Sequence, residues 1–302
     1  MKKIAFFVGN GFTLDLIQQI GLNSSCPLQK FHSTDITYDD FIDKLPTVNS
    51  ELFNQKNSDV DDFTAISNYV SRYKYSVQKD CELRRFLAIS YSKLQLLIES
   101  YNLIYDWKWF KWIKKYKRHI SCAISLNYDV ILERTLRYAD ISYTRIGTDE
   151  HFGKIPILKP HGSIDFDVPK ISIEPIESIW NGSTKLNNVS NAKIVPKSDW
   201  LLPRIEADII PPSMKNIQLH LQWTQEMSRQ YAMLAKQIDS FIMVGCSYWD
   251  VDRPEIDNFL KKLSKKKAKV YIMNPEPNPD LIRTLQALGL SYETFGFDEL
   301  PW

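Results

Sequence analysis

Five consecutive apolar residues, Ile4 to Val8, follow two lysines and run into Gly9-Asn10-Gly11, after which apolar residues recur at helical spacing from Phe12 to Ile20. An unbroken apolar run predicts a strand buried on both faces, and the periodic segment predicts a helix. Strand character returns at 119–129, 141–147 and 154–166, with a short helix, VILERTLRYA, between the first two. The alternation resumes as helix 216–238, strand 240–247, helix 255–265, strand 268–275, helix 279–288 and a last strand near SYETF. Strands alternating with helices predict a parallel sheet covered on both faces. From about Gly21 the composition is that of a loop, and Tyr38 to Tyr116 is rich in helical periodicity. Residues 167–200 are polar and weakly patterned and read as a loop or hairpin excursion. The expected class is α/β, a doubly wound (Rossmann-like) parallel sheet with a mostly helical insertion subdomain. Residues 1–20 and 118–302 would form the α/β domain and 21–117 the insertion.

Composition narrows this picture only a little. At 302 residues and 44% hydrophobic content the chain has ample material for a packed core, and a net charge of +2 favours no anionic partner. The N-terminal apolar run is too short for a signal peptide and no stretch reaches membrane-span length, so a cytoplasmic protein without a membrane partner is expected. Cys26, Cys81, Cys122 and Cys246 are widely separated and form no CxxC pair. They are expected as buried thiols, with no zinc site.

One stretch mixes aromatic and basic residues. In DWKWFKWIKKYKRH (106–119), Trp107, Trp109, Phe110, Trp112 and Tyr116 alternate with six cations, a composition that could stack on single-stranded nucleic acid. Aromatics at mixed spacings of three and four also suit the buried face of a helix, and lysines suit its C-terminal end. The second reading is favoured, and direct nucleic-acid binding is not expected. KKLSKKKAK (261–269) likewise reads as the solvated end of a helix.

In an open parallel sheet, ligands sit beyond the carboxyl ends of the strands. The residues there are Gly9-Asn10-Gly11, Asn127-Tyr128-Asp129, His161-Gly162-Ser163, Gly245-Cys246-Ser247 and Asn274-Pro275. Turns favour such residues for backbone reasons alone, so each has a structural reading. The first corner lacks the third glycine of a G-x-G-x-x-G fingerprint, which disfavours a standard dehydrogenase. His161 closes an apolar strand before a Gly-Ser turn and is placed for general-base work near neutral pH.

The ordered series VGNGFT, SLNYDVILE, LKPHGSIDF, VGCSYWD and IMNPEP resembles the sirtuin family, and within it the zinc-ribbon-lacking sirtuin-like NAD hydrolase domains of bacterial anti-phage defence systems. The resemblance covers the α/β portion. It implies that Gly9, Asn10, Gly11 and Thr13, with Gly245 and Ser247 from the other half, bind the NAD phosphates, and that Asn274 holds the adenosine ribose. It further implies that Asp129 lies near the nicotinamide carboxamide, that Asn127 positions the attacking water or the ribose, and that His161 acts on a ribose hydroxyl. Residues 162–245 contain no cysteine, so the zinc ribbon of the deacylases is missing. Their Pro-Asp-Phe-Arg cofactor loop has no counterpart after Thr13, and Leu126 stands where they carry glutamine.

The expected activity is therefore hydrolysis of NAD, as substrate, to nicotinamide and ADP-ribose, in a chain without zinc that acts by NAD depletion in anti-phage defence. A homo-oligomer is expected, with activation coming from self-assembly, from a separately encoded partner such as a DNA-translocase-type ATPase or an Argonaute-like protein, or from a phage component. The insertion, with its aromatic and basic end, is the expected docking surface. The alternatives are a non-catalytic module that senses NAD or ADP-ribose, and a nucleic-acid-acting protein.

Overall fold

The computed structural model describes residues 2–29, 39–55, 59–72, 76–150, 153–167, 191–202, 207–212, 222–296 and 298–302. In chain order the strands are β1 (Ile4–Val8), β2 (Ile120–Ser125), β3 (Tyr143–Arg145), β4 (Ile155–Leu158), β5 (Gly162–Asp167), β6 (Lys193–Ile194), β7 (Ala207–Ile209), β8 (Ser240–Val244), β9 (Lys269–Met273) and β10 (Tyr292–Phe295). The α-helices are α1 (Asn10–Ile17), α2 (Asp39–Ile42), α3 (Asp62–Arg72), α4 (Val77–Ser100), α5 (Lys108–Tyr116), α6 (Ile131–Tyr138), α7 (Gln222–Leu234), α8 (Arg253–Ser264) and α9 (Pro279–Ala287).

Seven strands form one parallel sheet in the order β10-β9-β8-β1-β2-β4-β3, and the fold is a Rossmann-like α/β fold. The central β1 is buried along its whole length, as its unbroken apolar run requires. Its side chains alternate between two cores. Ile4, Phe6 and Val8 join Phe12, Leu16 and Ile17 of α1 on one face, while Ala5 and Phe7 join Ile256, Phe259 and Leu260 of α8 on the other. The helices after the neighbouring strands β1 and β8 thus leave to opposite faces of the sheet. That divergence opens a crevice between the two strand ends, the switch point at which such sheets bind ligands.

Residues of the expected insertion pack on the β1–α1 face. Leu83, Phe86 and Leu87 of α4 and Trp109, Trp112 and Ile113 of α5 belong to the same core as Phe6 and Phe12. Phe6 stacks on Trp112 with ring centroids 5.6 Å apart, and Trp107 lies 4.5 Å from Phe12. The aromatic stripe of 106–119 is therefore core, and Trp107, Trp109, Phe110 and Trp112 are buried. The solvent face of α5 is basic instead and carries Lys111, Lys114 and Lys115.

The expected strand 154–166 is two strands in two sheets. After β4 the chain turns at Lys159-Pro160-His161, and β5 pairs antiparallel with β6 and β7 in a separate small sheet. Pro160 has no N–H for a ladder, which breaks the run at this point. Of the polar excursion 167–200, residues 168–190 lie outside the described residues, as do residues 216–221 of the helix expected at 216–238. Cys122 and Cys246 are buried, whereas Cys26 and Cys81 are only half-buried. No helix among the described residues is long and apolar enough to cross a membrane.

Candidate active site

The sheet register levels the strand ends. Val8 is paired with both Ser125 and Val244, Val244 with Met273, and Ile124 with Leu158. The residues that follow each strand consequently meet in one cleft of about 490 Å³, a size usual for small-molecule sites. Gly9, Asn10, Gly11, Asn127, Asp129, His161, Gly245, Ser247 and Asn274 all line it. Thr13 does not, and sits fully buried beneath them.

The glycines at the β1 and β8 ends serve a close backbone approach. A Cβ on Gly11 would lie 2.6 Å from the Gly245 Cα, and one on Gly245, which has a φ of +61°, would lie 2.4 Å from Gly11. The Gly11 N–H donates to the Gly245 carbonyl at 2.8 Å and the Gly9 N–H to the Val244 carbonyl at 3.0 Å. Gly9 is the N-cap of α1 and has no side chain to cap the helix behind it; its carbonyl accepts from the Phe12 N–H at 3.0 Å, so the Gly11 and Phe12 N–H groups are both satisfied internally.

Below the cleft, Asn127 Nδ2 donates to the Gly9 carbonyl and to Thr13 Oγ1, both at 3.0 Å. Thr13 Oγ1 in turn donates to Asp129 Oδ2 at 2.6 Å, and Asp129 Oδ1 accepts from the Ile131 N–H at 3.1 Å. Both amide protons of Asn127 are thereby used, which leaves Oδ1 as its remaining polar atom at the cleft wall. Burial pushes the Asp129 carboxyl above its ordinary range, against the opposing pull of Lys159 and Thr13. Thr13 thus braces the two residues of the Asn-x-Asp turn, where the resemblance implied a phosphate contact.

Lys159, completely buried, ties this turn to the next. Its Nζ donates to the Asp129 carbonyl at 2.5 Å and pairs with Glu133 of α6 at 3.0 Å, although without hydrogen-bond geometry toward that carboxylate. Two residues on, the backbone of His161 is clamped by the small sheet, where the Ile210 N–H donates to the His161 carbonyl at 2.9 Å.

The His161 ring has partners at both nitrogens. Nδ1 lies 3.1 Å from the Leu126 carbonyl and Nε2 lies 2.5 Å from Glu255 Oε2, with Asp252 Oδ1 at 3.9 Å. Burial favours the neutral ring, but the Glu255 carboxylate and its hydrogen bond, with Asp252, outweigh it and raise the pKa to about 9. Both ring nitrogens thus face acceptor oxygens, the arrangement that suits a protonated ring donating from each. Its expected role as a proton acceptor therefore requires that one of these two contacts be given up.

Other assigned residues are also engaged. Asn10 Oδ1 accepts from the Ser25 hydroxyl, and Asn274 Nδ2 donates to the Cys246 carbonyl at 3.3 Å while its Oδ1 accepts from the Glu276 N–H. Ser247 is exposed at the cleft rim. The mouth carries Phe63 of α3 and Trp249 of the β8–α8 loop, whose ring centroids are 5.3 Å apart. Among the described residues no group of three or more His, Cys, Asp or Glu is arranged to hold a metal ion.

Sequence reading missed Asp252, Glu255 and Lys159. Asp252-Arg-Pro-Glu255 before an apolar-periodic run reads as a helix start, which it is, and that reading hides the carboxylates' second role. Lys159, a cation closing an apolar strand before a proline, was the available signal for a buried ion pair.

No family model matches the sequence, and no curated protein matches it. A solved structure described as "Structural Basis for the Mechanism and Regulation of Sir2 Enzymes" is similar over 95% of this chain and 93% of its own, at 14% identity and a TM-score of 0.33. A superposition that loose transfers no residue roles, so those roles have to follow from the geometry of the cleft itself.

Proposed function

We propose that the cleft binds NAD and hydrolyses it to nicotinamide and ADP-ribose. The observation that carries the reading is the convergence of five strand ends at the switch point, with the backbone corner of α1 on one side and the Asn127 amide on the other. Breaking the glycosidic bond sends its electron pair to the nicotinamide nitrogen and leaves positive charge on the ribose. Water then adds at that carbon and loses a proton. In this reading the side-chain-free Gly9-Asn10-Gly11 corner lets the diphosphate approach the backbone, the exposed Ser247 donates to it, and Asn274 lies at the adenosine ribose. Asn127 Oδ1 accepts a hydrogen bond from the incoming water or a ribose hydroxyl, and its orientation is set beforehand by Gly9 and Thr13. Leu126, Tyr91 and Ile256 supply the apolar wall that a nicotinamide leaving group requires.

The motif series extends the proposal to NAD depletion during phage infection, in a homo-oligomer or together with a separately encoded ATPase or Argonaute-like activator. The rival reading, a non-catalytic NAD or ADP-ribose sensor, is favoured by one observation, the occupation of both His161 nitrogens. Incubating the purified chain with NAD, with and without such activators, and following nicotinamide and ADP-ribose separates the two. A sensor binds NAD and releases neither product.

A further inference from the structure

We propose that the Glu255–His161 contact is an internal inhibitory contact, in which the carboxylate covers the one ring nitrogen that a ribose hydroxyl could meet, so that the site becomes competent only when Glu255 withdraws. The inference rests on the glycohydrolase reading above. Nδ1 is committed to the Leu126 carbonyl, a backbone group fixed by the Leu126 N–H donating to Val8 of the central strand. Nε2 is thus the remaining face of the ring, and Glu255 occupies it at 2.5 Å. A ring that donates from both nitrogens cannot take a proton from a hydroxyl.

The groups around the ring come from three elements. Asp252 and Glu255 belong to the start of α8, Tyr128 to the β2–α6 loop, and Cys246 to the β8–α8 loop. Burial raises Tyr128 and Cys246 well above their ordinary values, so both are neutral near pH 7, while Asp129 is held by Thr13. The two carboxylates therefore set the charge of the ring. The loop leading into α8 rests through Trp249 on Phe63 of α3. Displacement of the helical segment by a bound activator would thus reach the end of α8 that carries Glu255.

With a pKa of about 9, only about one His161 ring in a hundred is neutral at pH 7. Without the Glu255 carboxylate, burial is opposed only by the more distant Asp252 and the Leu126 carbonyl, so the ring pKa falls toward or below its ordinary value. The test compares the full-length wild type with Glu255→Gln and Glu255→Ala, with folding of each confirmed by thermal melting. Histidine NMR, with His161 assigned by loss of its signal in His161→Gln, gives the ring pKa without any ligand. Nicotinamide release from NAD is then measured from pH 5.5 to 9.5, corrected for spontaneous hydrolysis. The expected result is a fall of about two units or more in the His161 pKa and a gain of roughly 10²-fold in release at pH 7, the wild-type profile itself rising with a midpoint near 9. An unchanged His161 pKa in both variants, or a lowered pKa with release unchanged or reduced in Glu255→Ala, which alone uncovers Nε2, overturns the inhibitory contact while leaving the glycohydrolase reading intact. If a variant does not fold, a wild-type profile with its midpoint below pH 7 overturns the contact by itself. No nicotinamide from any chain at any pH, with or without activator, overturns the glycohydrolase reading and the contact together.

Discussion

Thr13 and Asp129, 116 positions apart in the chain, meet beneath the cleft with the threonine hydroxyl donating to the carboxylate at 2.6 Å. The same hydroxyl accepts from Asn127, so one buried oxygen fixes both polar residues of the Asn-x-Asp turn. Thr13→Val keeps the shape and removes both bonds. It is expected to cost about 1–3 kcal/mol, the penalty for buried polar groups left without a partner, whereas Thr13→Ser should stay close to wild type. Denaturant midpoints of the two variants check this, and equal midpoints would remove Thr13 from its bracing role.

Lys159 carries a larger stake. Lys159→Met would leave the buried Glu133 carboxylate without its cation and the Asp129 carbonyl without its donor. The expected loss is about 3–5 kcal/mol, and pairing it with Glu133→Leu should recover most of that, since removing both charges also removes the unpaired one. A double variant no more stable than the single, measured by chemical denaturation, would show that the ion pair is not what Lys159 supplies.

At the β1–β8 corner the glycines are expected to be intolerant for steric reasons. Gly245→Ala meets both a left-handed backbone and the Gly11 backbone 2.4 Å from the new Cβ, so it should cost several times more than Gly21→Ala. Gly21 has a similar φ of +76° but open space around it, and its replacement should cost only about 1–2 kcal/mol. Comparable melting temperatures for the two variants would contradict the close approach.

The His161–Glu255 pair also links stability to pH. The folded-state pKa of about 9 lies above the ordinary histidine value near 6.5, so the pair's contribution is complete below pH 6.5 and is lost as pH rises through 9. At full extent it amounts to roughly 3 kcal/mol. Unfolding measured at intervals between pH 6 and 9.5 should show this loss in wild type and little of it in Glu255→Gln. A flat wild-type curve would contradict the pairing.

Much of the architecture was legible because β1 is apolar without interruption and the strand ends carry Gly, Asn, His and Ser in sequence order. What could not be read was who meets whom. The Asn127–Thr13–Asp129 chain depends on the register that sets Val8 level with Ser125, which no local pattern encodes. Glu133 in VILERTLRYA resembles an ordinary solvent-facing charge, and only the buried Lys159 explains its place. Glu255 was hidden by its helix-starting context. The aromatic stripe of α5 could be weighed in sequence, since spacing already favoured a buried face, but its partners Phe6 and Phe12 lie a hundred residues away.

The most direct test of the NAD hydrolase reading is the comparison of wild type with Asn127→Ala for both NAD affinity and activator-stimulated nicotinamide release, with folding verified by melting. The amide is assigned to the reacting water or ribose, and most of the affinity to the α1 corner, Ser247 and Asn274. The variant should therefore bind NAD within a few-fold of wild type and release nicotinamide about 10²-fold more slowly or worse. A well-folded Asn127→Ala chain that releases nicotinamide at the wild-type rate would contradict the account.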